Sequence, residues 1–155
     1  MQNTNYISAL KKYIENHIGD DCGAWEYLHT PHITEIVGSL DKNDSNLLSQ
    51  NIFNWPINVL YELADPIILG GNKYLKVDYL YCKIFSLTDE FENLEYLAQN
   101  LGACFYSLKS NEYDIEMFKA IKIRLISVSE RSDEHWKKYY VDLLKLIDNI
   151  IQADE

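Results

Sequence analysis

The sequence predicts an all-α protein: a compact bundle of about seven antiparallel-leaning helices, one helical domain over residues 1–155. Three observations predict it. Apolar residues recur every three or four positions along most of the chain, which is the period of a helix. The runs are broken at Pro56, at Gly70-Gly71-Asn72 and at short polar turns. No stretch alternates apolar with polar residues in the manner of a half-buried strand. HEAT-like stacking of helical pairs is the alternative packing, although no repeat of fixed period accompanies it.

The elements follow in order. Tyr6, Leu10, Ile14 and Ile18, with Tyr13 beside Ile14, form the first stripe, capped by Asn3 or Thr4 and stopped by Gly19. Residues 20–30 are less regular and hold a short helix anchored by Trp25 and Leu28. Thr30-Pro31 has the form of an N-cap followed by a first-turn proline, opening a helix through Ile33, Ile36, Val37 and Leu40. A polar turn at 41–44 leads to Leu47, Leu48, Ile52 and Phe53. The run breaks at Asn54-Trp55-Pro56, because the residue before a proline is pushed out of helical geometry. Ile57, Leu60, Tyr61 and Ile68 make the next stripe, which Pro66 is expected to kink or interrupt.

Gly70-Gly71-Asn72 is the clearest stop. Residues 75–87 beyond it are apolar on most sides, as in a helix lying in the middle of a fold. Their wealth of Tyr, Ile and Val makes a strand the competitor; length and the absence of alternation decide for helix. Thr88 is expected to cap the segment carrying Phe91, Leu94, Leu97, Leu101 and Phe105, with Asp89 and Glu90 in its first turn favoured by the helix dipole. Asn111 is expected to begin the next, with Ile115, Phe118, Ile121 and Leu125. Ser132 is expected to begin the last, with Trp136, Tyr140, Leu143, Leu144, Ile147 and Ile151 on one face.

Charge is the strongest functional signal. The chain has 24 Asp and Glu against 14 Lys and Arg, for a net charge of −10. Between Lys12 and Lys73 the single base is Lys42, set against Glu15, Asp20, Asp21, Glu26, Glu35, Asp41, Asp44, Glu62 and Asp65. A second gap, between Lys83 and Lys109, holds Asp89, Glu90, Glu92 and Glu95. Acids without neutralising neighbours attract a basic partner and repel nucleic acid and anionic membrane. Trp25, Tyr27, Trp55 and Tyr61 fall in the base-poor half, and aromatic anchors among carboxylates suit a surface rich in Lys and Arg. The candidate partner-binding residues are therefore Asp20, Asp21, Trp25, Glu26, Tyr27, Asp41 and Asp44, then Trp55, Tyr61, Glu62 and Asp65, with Asp89 and Glu90 from the second gap. The bases of the C-terminal third alternate with acids, as on an ordinary solvated helix.

Motifs for chemistry are weak. Glu26-x-x-His29 has the spacing of a di-iron half-site and His29-x-x-His32 adjoins it, but a pair of such motifs is needed and Pro31 stands between the histidines. Cys22 adds no complete four-ligand set. The histidines are read as surface or cap residues. Glu92-x-x-Glu95 and Glu130-x-x-Asp133 together suggest a Mg²⁺-dependent all-α nucleotide pyrophosphohydrolase, with hard carboxylate ligands on neighbouring helices. The second pair falls at a Ser-rich turn, which argues against it. There is no glycine-rich phosphate loop and no GxSxG. No catalytic residue, metal or cofactor is assigned.

The N-terminus lacks the pattern of a secretory signal, no apolar run reaches membrane-spanning length, and Cys22, Cys82 and Cys104 are widely spaced, as in buried thiols of a reducing cytosol. A cytoplasmic protein is expected. Its size, acidity and lack of chemistry are those of bacterial immunity proteins, which block a toxic nuclease or other effector; the likeness is one of class and rests on no motif. A helical adaptor or scaffold without a toxin partner is the other interaction reading.

Overall fold

The computed structural model describes residues 4–154, with side chains from residue 6 onward. The chain is all-α: helices account for most of it, and there is no strand among the described residues. It divides into two compact units, Met1–Leu80 and Tyr81–Glu155.

In the first unit, α1 (Thr4–His17) buries Leu10 and Ile14 as the periodicity predicts, but Ile7 takes the buried place expected of Tyr6, which is 47 % exposed. The proposed Asn3 cap and the Thr4 side chain lie outside the described residues. Asp21 caps the next helix, its carboxylate accepting from the Ala24 amide at 2.8 Å. From there the backbone is helical without a break through α2 (Cys22–Ala24), a π turn (Trp25–His29) and α3 (Thr30–Ser39). Thr30 is therefore not an N-cap. It has helical geometry, and its amide donates five residues back to the Trp25 carbonyl. Pro31 explains the wider turn: a proline ring collides with the carbonyl four residues earlier in an α-helix, and the π register makes room for it.

Asp41 caps α4 (Lys42–Asn51) through the Asp44 amide at 2.8 Å. A 3-10 turn (Ile52–Asn54) ends at extended Trp55, and Pro56 precedes α5 (Ile57–Tyr61), the break expected there. The second break falls at residues 62–63, ahead of Pro66, so that α6 (Ala64–Leu69) carries the proline in its first turn, where no amide is needed. α1 packs on α4 and α5, and α3 packs on α6. That last contact is backbone to backbone: a Cβ on Gly38 would stand 2.6 Å from the Gly70 carbonyl oxygen. Asn72 locks it. Its buried amide donates to the carbonyls of Val37 at 2.8 Å and Leu40 at 3.1 Å and to Ser45 Oγ at 3.1 Å, while its oxygen accepts from the Tyr74 amide. One side chain thus satisfies the end of α3 and ties α4 to the turn at Gly71, whose φ of 63° needs glycine.

α7 (Val77–Leu87) is helical, as length and pattern required, and Leu80, Tyr81, Cys82, Ile84 and Phe85 are buried. Thr88 does not cap the following helix. Its hydroxyl donates back to the Ile84 carbonyl at 2.7 Å and closes α7, while α8 (Phe91–Ser107) starts after Glu90 with no side-chain cap. α9 (Ile115–Glu130) is capped by Asp114 rather than opened by Asn111, which lies in a preceding 3-10 turn. Asp133, not Ser132, caps α10 (Glu134–Asp154). Aspartate carboxylates thus start helices where the sequence also offered neutral candidates. In the second unit α9 packs on both α8 and α10. The three-residue turn and the Lys122–Asp148 ion pair at 2.6 Å make α9 and α10 antiparallel.

Replacing Asn72 with Ala leaves three acceptors without their donor and is expected to cost about 2–3 kcal/mol in urea unfolding. Gly38→Ala is expected to cost about 1–3 kcal/mol, because both sides of that contact are backbone.

Candidate functional site

The most concentrated group of functional side chains surrounds His29. The π turn places its imidazole inside the first unit at 2 % exposure. One ring nitrogen, Nε2, lies 2.7 Å from Asp20 Oδ2, and the other, Nδ1, lies 2.8 Å from the Tyr13 hydroxyl. The same Asp20 oxygen is 2.9 Å from Nδ1 of His17, and the rings of His17 and His29 stack at 4.0 Å. Trp25 closes one side, its ring edge-on to His29 and its indole N–H donating to the His17 carbonyl at 3.0 Å. The exposed His32 packs by its ring against Tyr13. His29 is therefore neither a surface nor a cap residue. Continuity of the helix through Pro31 is what turns it inward.

Proton positions follow from the acceptor. Hydrogen bonds from His17 and then from His29 hold the Asp20 carboxyl below its usual range, so it is an anion that accepts only. Both facing ring nitrogens then carry their hydrogens, and Nδ1 of His29 shares a hydrogen bond with the Tyr13 hydroxyl. Tyr13, His29 and Asp20 thus follow the order nucleophile, base, acid. The phenol does not behave as an activated nucleophile, however: burial, then the Asp20 charge, push its pKa above 10.0. What the arrangement does offer is two imidazoles and one carboxylate. Ligand atoms of His17, Asp20 and His29 lie within 4.8 Å of one another, the one such group of His, Cys, Asp or Glu found among the described residues.

The outer side of the same segment is acidic and apolar together. Asp20, Asp21 and Glu26 are exposed, Tyr27 is 79 % exposed and Leu28 60 %. The expected anchoring of Leu28 is reversed by the π turn. Among the described residues no Lys or Arg comes within ion-pair distance of these three acids. Trp25 is half-buried and serves the His cluster. Asp41 is exposed at the start of α4; half-buried Asp44 has one oxygen, Oδ1, without a hydrogen bond, and burial, then Asp41, raises its pKa. The ten residues of α3 separate this pair from the strip at residues 20–28 by about 15 Å along the helix. Trp55 is half-buried and lines a small cavity with Ile7, Ser8, Lys11 and Asn51. Tyr61, Glu62 and Asp65 are all half-buried at the junction of α5 and α6. Glu90 is exposed, and Asp89 is paired with Arg124 at 2.8 Å, which removes it as an uncompensated charge. The acidic candidates thus fall into separate groups, and the one at residues 20–28 sets its carboxylates next to the exposed Tyr27 and Leu28.

Glu92, Glu95, Glu130 and Asp133 are all exposed and form no cation-holding group, Asp133 being occupied as a cap. Cys22 is exposed, whereas Cys82 and Cys104 are buried as expected. Tyr13 and His17 are the members of the His29 cluster that sequence spacing did not single out, because they reach it across the turn between α1 and α2. No helix among the described residues is long and apolar enough to cross a membrane. No family model, curated protein or solved structure matches the chain.

Glu62 gives a pH signature. Burial, then Asp65, push its pKa from 4.5 to about 7, so the folded state holds a proton that the unfolded state releases. Stability is expected to fall as pH rises from about 4.5 to about 7. Glu62→Gln should flatten that slope and stabilise the protein at pH 8 by roughly 1 kcal/mol after allowance for solvent screening, as read by thermal unfolding at pH 5 and pH 8.

Proposed function

We propose that the protein is a protein-binding module that docks a basic partner on the strip at residues 20–28. One observation carries this reading: Tyr27 and Leu28 stand out from the surface beside Asp20, Asp21 and Glu26, with no Lys or Arg paired to those acids among the described residues. Large exposed apolar side chains cost free energy in water, and an exposed aromatic accompanied by carboxylates is complementary to Lys and Arg side chains, whose stems pack on the ring while their charges meet the acids. The rigid helical backbone limits the entropy lost on docking. In this mechanism the acids steer encounter and set specificity, and Tyr27 and Leu28 slow release.

The finer form of the proposal is an immunity protein, in which the basic partner is a toxin or effector domain neutralised by occlusion of its working surface. Its support is the chain's acidity, small size and exposed acidic–aromatic strip. A neighbouring reading frame ending in a basic toxin-like domain, and rescue of growth on co-expression with it, are the observations expected of that form.

With the partner recovered from the native cell, raising salt should slow association markedly and change dissociation less. Tyr27→Ala should weaken binding by about 2 kcal/mol, mainly through faster dissociation, and Glu26→Lys should lower the on-rate. An on-rate indifferent to ionic strength, together with wild-type affinity in both variants, would remove the proposal.

A further inference from the structure

The inward side of the same segment carries two histidines, His17 and His29, that docking does not use. We propose that His17, Asp20 and His29 form a binding site for a divalent cation of the zinc class. The ligands are His29 Nε2, His17 Nδ1 and a carboxylate oxygen of Asp20, with a further position left to water. Imidazole and carboxylate are the ligands this class takes, and three protein ligands with one open position is a recurrent arrangement.

Geometry supports it at each ligand. The two ring nitrogens already converge on one carboxylate oxygen, at 2.7 and 2.9 Å, so a cation would replace the bridging hydrogens rather than assemble scattered groups. Bonds of 2.0–2.1 Å require ligand atoms about 3.3 Å apart in a tetrahedron. The present spread of up to 4.8 Å closes by rotation of Asp20 and His17, whose side chains are 42 % and 33 % exposed. His29 need not move. It is buried, wedged between Trp25 and Tyr13, and set by the π turn.

The outer shell fits as well. With a metal on Nε2, the ring hydrogen of His29 sits on Nδ1, which donates to the Tyr13 oxygen. A phenol both donates and accepts, so the 2.8 Å contact accommodates that arrangement. The ion would bridge the end of α1 to the π turn, and the site stands on this geometry whether or not the docking proposal holds.

The test uses the full chain, freed of metal with a chelator and dialysed, with Zn²⁺ followed by calorimetry and Co²⁺ by visible absorption. A single ion per chain is expected, with Co²⁺ developing the intense bands of a tetrahedral site. His17→Ala and Asp20→Asn change surface-accessible ligands; each should weaken Zn²⁺ by more than about 100-fold while circular dichroism is unchanged, and Tyr13→Phe should weaken it by about tenfold. Cys22→Ser should bind as the wild type does. The proposal is overturned by no saturable binding, by equal affinity in the wild type, His17→Ala and Asp20→Asn, or by loss of binding in Cys22→Ser alone.

Discussion

A buried imidazole with both nitrogens engaged is the constraint on which the functional end of this protein depends. An unpaired nitrogen at 2 % exposure would carry a desolvation penalty with nothing to offset it. His29 therefore fixes three things together: the Tyr13 hydroxyl from α1, the Asp20 carboxylate from the turn after α1, and the helical phase of residues 25–29. His17 and Trp25 join on the same terms, one through Asp20 and the other through the His17 carbonyl. The end of α1 and the π turn are in this sense one polar assembly, held by hydrogen bonds as the α3–α4 end of the unit is held by Asn72.

The π turn has two consequences of opposite kind. An α-helix running through Pro31 would lose a backbone bond and meet the ring head-on, and the extra residue in the turn relieves that collision. The same extra residue rotates the side chains before it: His29 goes in, Tyr27 and Leu28 go out. The inward and outward faces are thus products of one backbone adjustment. Single-turn π segments occur often at functional sites, and here the reason is visible, because the register shift gives adjacent residues orientations that an α-helix would not.

Much of the fold was legible because periodicity reports burial directly. The stripes in α8 and α9 bury nearly the residues expected and those in α1, α7 and α10 only part of theirs, while the breaks at Trp55-Pro56 and Gly70-Gly71 fall where proline and glycine stereochemistry puts them. Helix starts were less legible. Thr88, Asn111 and Ser132 each compete with a nearby alternative, and at α9 and α10 the carboxylates of Asp114 and Asp133 win the capping position. The site was hardest to read. His17, Asp20 and His29 share no helical spacing, since the first lies on α1, the second in a turn and the third in a π register. The signals that did exist were an acid three residues after one histidine and nine before another, and a proline two residues past the second.

Acidity has more than one use in this chain, which bears on how its charge is understood. Asp21, Asp41, Asp114 and Asp133 begin helices, where an anion meets unsatisfied amides and the positive end of the dipole. Asp89 answers Arg124, and Asp148 answers Lys122. Such carboxylates would be present in a helical protein with no partner at all, so net charge by itself cannot identify a docking face. Glu26 is different. It caps nothing and pairs with no base among the described residues, and it lies one residue from an aromatic side chain left in water. Asp20 stands between the two cases, its charge shared inward with two histidines while its side chain remains 42 % exposed. A cation on its inner oxygen would offset part of the negative potential that the strip presents outward, so occupancy of the one face would set the electrostatic pull of the other.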